Sequence, residues 1–254
     1  MDLSALVGGS VFAFFLVFVR IGAAFLVLPG IGEQFITARI RLLFALSVAL
    51  LVTPLVSPTL PAAPSQPGQL IALVIAETLV GALIGTLPRM MMSALELAGF
   101  FIASQLGLAT ALAFNPTLAT PSTPVSSLLG VLGLLLIFAT DLHHLMILAV
   151  VDSYALFPPG QWLPLGDTAQ LMTGVVSRSF TLGVQMAAPF IVLGLLFYLG
   201  LGMVSRLVPT IQVFFVGIPI QALLGLVLLG LTLSSIMLVW LTAFEDQLIV
   251  FTTP

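Results

Sequence analysis

Six apolar stretches alternate with short polar interruptions along the 254 residues, at positions 5–29, 41–57, 69–113, 125–151, 169–204 and 211–243. Each approaches or exceeds the ~20 residues that carry a helix across the hydrocarbon of a bilayer, so the pattern predicts six membrane-spanning helices. The interruption at 58–68 (PTLPAAPSQPG) is Pro-rich and uncharged, which predicts an extended loop. Residues 115–124 (NPTLATPSTP) have the same chemistry, and 152–168 contain Phe157-Pro158-Pro159-Gly160. Pro88, Pro189 and Pro219 fall inside the third, fifth and sixth stretches. Proline removes a backbone donor, and the carbonyl it frees within a membrane must be satisfied by neighbouring protein or cavity water. Long, kinked helices of this kind suit an assembly better than a simple lipid-embedded bundle.

Composition supports the membrane reading. The chain is 60% hydrophobic and 6% charged, with a mean hydropathy of +1.29, which excludes an ordinary soluble domain. All six basic residues are Arg (Arg20, Arg39, Arg41, Arg89, Arg178, Arg206), so there is no basic patch for nucleic acid. Cysteine is absent, which removes disulfides, thiolate metal sites and Cys nucleophiles. The N-terminus lacks a basic region ahead of its apolar run and is expected to be an uncleaved first span. The excess of positive charge on cytoplasmic loops puts the Arg39/Arg41 loop and Arg206 inside, and the Arg-free loops 58–68 and 152–168 outside.

Charge inside the apolar stretches then asks for a reason. Arg20, Glu77, Arg89 and Glu96 sit where an ionised side chain costs at least ~2.5 kcal/mol at the bilayer centre, so each is expected to be buried against another helix, a cavity or a second subunit. Arg89 and Glu96 are seven residues apart, two turns or roughly 10 Å along a straight helix, too far to pair with each other. Two roles are open for these charges: buried ion pairs that fix helix register, or the proton and substrate contacts of a proton-coupled small-molecule transporter.

Small residues mark contact faces. Gly99, Ala103, Gly107 and Ala111 recur every fourth position, which predicts a packing seam on one helix face, and Gly81/Gly85 and Ser179/Gly183/Ala187 repeat the pattern. Beyond the seam, residues 105–116 pass into a Pro-containing loop without a charge. It is either a plain surface loop or an irregular segment whose Leu112, Phe114 and Leu118 obstruct a conduit by packing and dewetting. Asp141, His143 and His144 lie close in sequence, yet no third His, H-E-x-x-H, G-x-S-x-G or P-loop occurs, so an interfacial or packing role is favoured over catalysis and no cofactor is expected.

Gly200-Leu201-Gly202, Arg206, Pro209, Gln212-Val213-Phe214, Gly217 and Pro219 resemble the signature stretch of the FliR family, the membrane subunit of the flagellar type III export gate. Other landmarks follow in the same order: Arg20-x-Gly22, Pro29, Arg39 and Arg41, Glu77 with Gly81 and Gly85, Ala98-Gly99, Gln105-x-Gly107, Asn115-Pro116, His143-His144, Pro158-x-Gly160 and Ala187-Ala188-Pro189. The chain departs from the family pattern at Gln221, where many members carry Lys, and at Asn115, where an acidic residue is common.

The resemblance implies an all-α subunit of long, kinked hairpins, with a FliP-like part at 1–168 and a FliQ-like helical hairpin at 169–254, bent at 205–210 around Arg206 and Pro209. It implies a single copy in a spiral hetero-oligomer with FliP-type and FliQ-type subunits and a FlhB-type switch protein. That assembly sits in the bacterial inner membrane at the flagellar basal body, is displaced toward the periplasm, and passes unfolded flagellar proteins. Six crossing spans then become doubtful. The resemblance also strengthens the plug reading, with Leu112, Phe114, Asn115, Pro116 and Leu118 closing the channel, and implies a non-enzymatic protein. The equivalent subunit of a virulence-type secretion system shares these motifs.

Overall fold

The computed structural model describes residues 3–108, 123–161, 164–207 and 213–252. Among them lie seven α-helices, a short 3-10 turn at Ser57–Thr59 and no strand. The helices are α1 (Leu3–Val27), α2 (Ala38–Val56), α3 (Pro67–Gln105), α4 (Pro124–Ala139), α5 (Leu142–Leu156), α6 (Leu165–Leu207) and α7 (Val213–Thr252). The protein is an all-α membrane protein, as its apolar pattern predicts.

Proline and glycine set the helix boundaries. Pro67 and Pro124 open α3 and α4, where the fixed φ of proline suits the first turn and its missing N–H is not needed. Thr123 precedes Pro124 and its hydroxyl accepts the Ser126 N–H at 3.1 Å, capping α4. Gly30, just beyond α1, and Gly107, just beyond α3, take positive φ of 86° and 74°, which glycine adopts without steric cost.

The expectation of six similar spans needs correction. By length and apolarity, four segments among the described residues qualify as spans, Ala38–Thr59, Pro67–Gln105, Gly166–Leu207 and Gly217–Ile249, or five if α4 and α5 together count as one broken span. The fourth predicted stretch, 125–151, is two helices because Asp141 adopts a left-handed backbone (φ 59°) within the polar run Thr140, Asp141, His143 and His144. Asp is one of the few L-residues whose short polar side chain tolerates that conformation. By contrast α3, α6 and α7 contain 39, 43 and 40 residues. At 1.5 Å per residue each would run roughly 60 Å if straight, twice the ~30 Å hydrocarbon core. Pro88, Pro189 and Pro219 lie within these three helices without ending them.

The chain forms two compact units. The first comprises Met1–Met90, Ile137–Val175 and Phe244–Pro254. Its core takes Val17, Ile21, Ala24 and Phe25 from α1 and Leu28 just beyond it, a stripe at three- and four-residue spacing. Ala45, Ala49, Val52 and Val56 of α2 and Val80, Leu83, Ile84 and Leu87 of α3 complete it. The second unit comprises Met91–Leu136 and Val176–Ala243. Its core holds Leu95, Ala98 and Ile102 of α3, Phe190 of α6 and Trp240 of α7, whose indole N–H donates to the Met91 carbonyl at 2.9 Å. Many large apolar side chains remain exposed, among them Leu50, Leu51 and Leu55 on α2 and Leu195, Leu196 and Leu199 on α6, as suits a chain whose surface meets lipid or other apolar protein.

Candidate functional site: a buried charge lock and a loop root

In the first unit, Gly81 and Gly85 bring α1 and α3 together. A Cβ at Gly81 would lie 2.2 Å from the Arg20 carbonyl oxygen, and one at Gly85 would lie 2.6 Å from that of Ala24. No side chain fits in either gap, so these glycines let the two backbones touch. Glu77 lies one turn before Gly81 on the same face, and the close approach puts its carboxylate beside the Arg20 guanidinium.

The Arg20 Nε donates to Glu77 Oε2 at 2.5 Å, and each side chain is 1% exposed. Nη1 donates to Ser153 Oγ at 3.3 Å and Nη2 to the Phe157 carbonyl at 3.1 Å. The guanidinium carbon lies 4.0 Å from the centroid of the Tyr154 ring, a cation–π contact. Arg20 thus ties α1 to α3 and to the C-terminal end of α5, with a partner for each of its nitrogens. Such a pair carries a desolvation cost that only good geometry and further hydrogen bonds offset, and Arg20 has both. A transport site would need one of these charges within reach of substrate or water. Here both are enclosed and engaged.

Arg89 and Glu96 behave differently. Both are exposed on this chain, so the helices of this chain do not enclose them. Arg89 forms an ion pair with Glu33 in the α1–α2 loop, with side chains 44% and 20% exposed. Screening by solvent makes such a pair weak. Glu33, Ser153 and Tyr154 were not legible as partners from sequence. Ser153 carried a faint signal, because it continues the buried α5 face of Met146, Ala149 and Val150.

In the second unit, the end of α3 forms the root of the loop toward the predicted plug. The residues of the expected seam take different places. A Cβ at Gly99 would stand 2.4 Å from Ser126 Cα, so Gly99 seats the first turn of α4, and Ala103 is fully buried. Gly107 is not on the helix face: α3 ends at Gln105 and Gly107 occupies a left-handed turn. Ala111 lies outside the described residues, as do Leu112, Phe114, Asn115, Pro116, Leu118 and Pro209. Arg206 is exposed in the last turn of α6, where a cation complements the helix dipole.

Neutral groups fix this root. The Gln221 side-chain amide, 2% exposed on α7, donates to the Gln105 carbonyl, one of the acceptors left over where a helix ends. Leu106 is buried, and a Cβ at Gly225 would lie 2.5 Å from its Cγ. A Cβ at Gly194 would lie 2.1 Å from Gln105 Oε1. Beyond the loop, Ser126 Oγ donates to the Glu96 carbonyl at 2.8 Å, and Thr123 Oγ1 to that of Gly99 at 3.4 Å. The residues before 109–122 are therefore tied to α7 and those after it to α3.

Asp141, His143 and His144 come together at the corner between α4 and α5. His144 Nδ1 is 3.5 Å from Asp141 Oδ1, and the two imidazole centroids are 4.0 Å apart. The His143 ring also packs on Phe138, while Asp141 and His144 are exposed and the ligand atoms of all three lie within 4.8 Å of one another.

Comparison with known proteins places these features in a family. Residues 11–247 match the family described as bacterial export proteins, family 1. The chain is 47% identical over 237 residues to the flagellar biosynthetic protein FliR of Caulobacter vibrioides, covering 93% of this chain and 94% of that protein. It is 29% identical over 236 residues to the FliR of Bacillus subtilis, covering 92% and 90%. Similarity extends to Yop proteins translocation protein T of Yersinia pestis, 28% over 213 residues, covering 83% and 81%.

Proposed function

This chain belongs to the FliR family of the flagellar type III export apparatus, and we propose that within that apparatus it is a structural and gating subunit of the inner-membrane gate through which unfolded flagellar proteins leave the cytoplasm. The observation that carries this reading is the family match over residues 11–247 joined to a loop root anchored on both sides of a charge-free segment. In this reading, FliP-type and FliQ-type subunits pack on the exposed apolar faces of α2, α6 and α7, and a FlhB-type protein docks on the assembly. The part at 1–168 is FliP-like and 169–254 forms a FliQ-like hairpin turning near Arg206 and Pro209. Leu112, Phe114, Asn115, Pro116 and Leu118 close the channel as an apolar seal held at Gln105-Leu106-Gly107. Helices of roughly 60 Å extend the assembly beyond the bilayer, toward the periplasm. The protein performs no catalysis itself, and the energy for export comes from other components.

Replacing Leu112 and Phe114 together by Gly tests the seal. The expected outcome in cells carrying the assembled gate is a rise in permeability to ions or small solutes, with the chain at normal abundance. Unchanged permeability would remove the seal from the account. The flagellar assignment is favoured over a virulence-type system because identity is 47% to a flagellar relative and 28% to the Yop relative.

A further inference from the structure

A groove of about 370 Å³ lies on the first unit between α1, α2 and α3. Phe18, Gly22, Ala23, Leu26, Leu42 and Ala45 line it, together with Thr78 and, near the α1–α2 loop, Arg41. Its walls are almost entirely apolar. A Cβ at Gly22 would meet nothing within 4 Å, in contrast to Gly81 and Gly85, where the helices touch. The groove is therefore real space in the helix packing.

The loop end of the groove is cationic. Arg41 Nε donates to the Ile31 carbonyl at 3.1 Å, and its Nη2 to those of Glu33 and Ile36 at 2.9 and 3.5 Å. These bonds hold the guanidinium in place and leave Nη1 without a partner among the described residues. Arg39 is exposed and has no hydrogen bond or ion pair among the described residues. Both arginines sit in the first turn of α2, which carries no acidic residue and whose N-cap Thr37 makes no side-chain capping bond. The positive end of the helix dipole adds to their charge. Glu33, the one acid in the loop, is engaged by Arg89.

We infer that this groove binds one acyl chain of an anionic phospholipid, whose phosphate is held by Arg39 and the free Nη1 of Arg41 at the start of α2. Charge complementarity selects the occupant: an apolar slot with Arg41 held at its loop end and the unengaged cation of Arg39 in the same helix turn matches a molecule with a hydrocarbon tail and an anionic head. The Arg-rich end is also the one that the positive-inside rule assigns to the cytoplasmic face, where anionic headgroups draw juxtamembrane arginines. The bound lipid would pack against α1, α2 and α3 beside Ala23, which also meets Gly81, and so support the same helix packing.

Native mass spectrometry of the full chain, purified in detergent with whatever partners accompany it, tests this with phosphatidylglycerol, phosphatidylcholine and inorganic phosphate as probes. The expected result is one phosphatidylglycerol retained per chain at a concentration where phosphatidylcholine is not retained and where inorganic phosphate does not displace it. Gly22→Leu fills the groove and should abolish retention. Arg39→Gln removes one exposed cation and should weaken retention about fivefold. Gly174→Leu, at another helical glycine with open space around its Cβ, should leave it unchanged. Equal retention of both lipids, retention unaffected by both Gly22→Leu and Arg39→Gln, or displacement by phosphate alone would overturn the inference. So would crosslinking of Gly22→Cys to a neighbouring protein chain in membranes, because the groove would then be a protein contact.

Discussion

The two units secure their helices by opposite chemistry. In the first, a fully enclosed Arg20–Glu77 pair joins three helices through charge-assisted bonds. In the second, the end of α3 is held by neutral amide and hydroxyl bonds and by glycines that admit Leu106 and Gln105. A buried ion pair resists partial opening, because separating it strands a charge in a low-dielectric interior. Neutral contacts give way in smaller steps, each worth roughly 1 kcal/mol. The contrast matches the proposed division of labour, with a rigid scaffold in one unit and a yielding loop root in the other.

Removing one partner of the pair should have the largest effect. Glu77→Ala leaves the Arg20 charge buried without a counter-ion and should cost about 3–5 kcal/mol, read as loss of folded chain in detergent thermal unfolding and as loss of motility. Gly81→Val comes next. Its side chain collides with the Arg20 carbonyl and pushes α1 off α3, for about 1–3 kcal/mol of overpacking, and it should lower the unfolding temperature without abolishing expression. Gln221→Leu should have the smallest effect on stability, about 1–2 kcal/mol from an unpaired Gln105 carbonyl, yet it should alter leak or export more than Gly81→Val does. A gating phenotype from Gly81→Val alone, with Gln221→Leu silent, would reverse the assignment of the two regions.

How much of this was legible in the sequence follows from the physics at each position. The all-helical membrane class was readable because apolar runs of this length have few other solutions. Arg20 and Glu77 were readable as buried because charge is costly among apolar neighbours, but their pairing was not, since it depends on Gly81 and Gly85 seating α1. Arg89 and Glu96 carried the same local signal yet are exposed. A hydrophobic stretch cannot reveal which face of a long helix turns inward. The division of 125–151 hinged on one residue, Asp141, whose left-handed backbone carries no periodic signature. Within the small-residue pattern, Gly99 and Ala103 face packed neighbours, whereas at Gly107 the same lack of a side chain serves a turn. Gln221 stood out only as a departure from the family pattern, and its bond to Gln105 joins positions too far apart in sequence to be inferred.

The central claim is that the Arg20–Glu77 pair is a scaffold and not a carrier of protons or substrate. Arg20→Met combined with Glu77→Leu tests it most directly, by measuring secretion of flagellar proteins beside each single variant. A packing role predicts that each single substitution abolishes secretion while the double substitution restores much of it, because an apolar pair of similar volume can replace a buried ion pair. A double variant that accumulates as folded chain within the membrane yet secretes nothing would contradict the account.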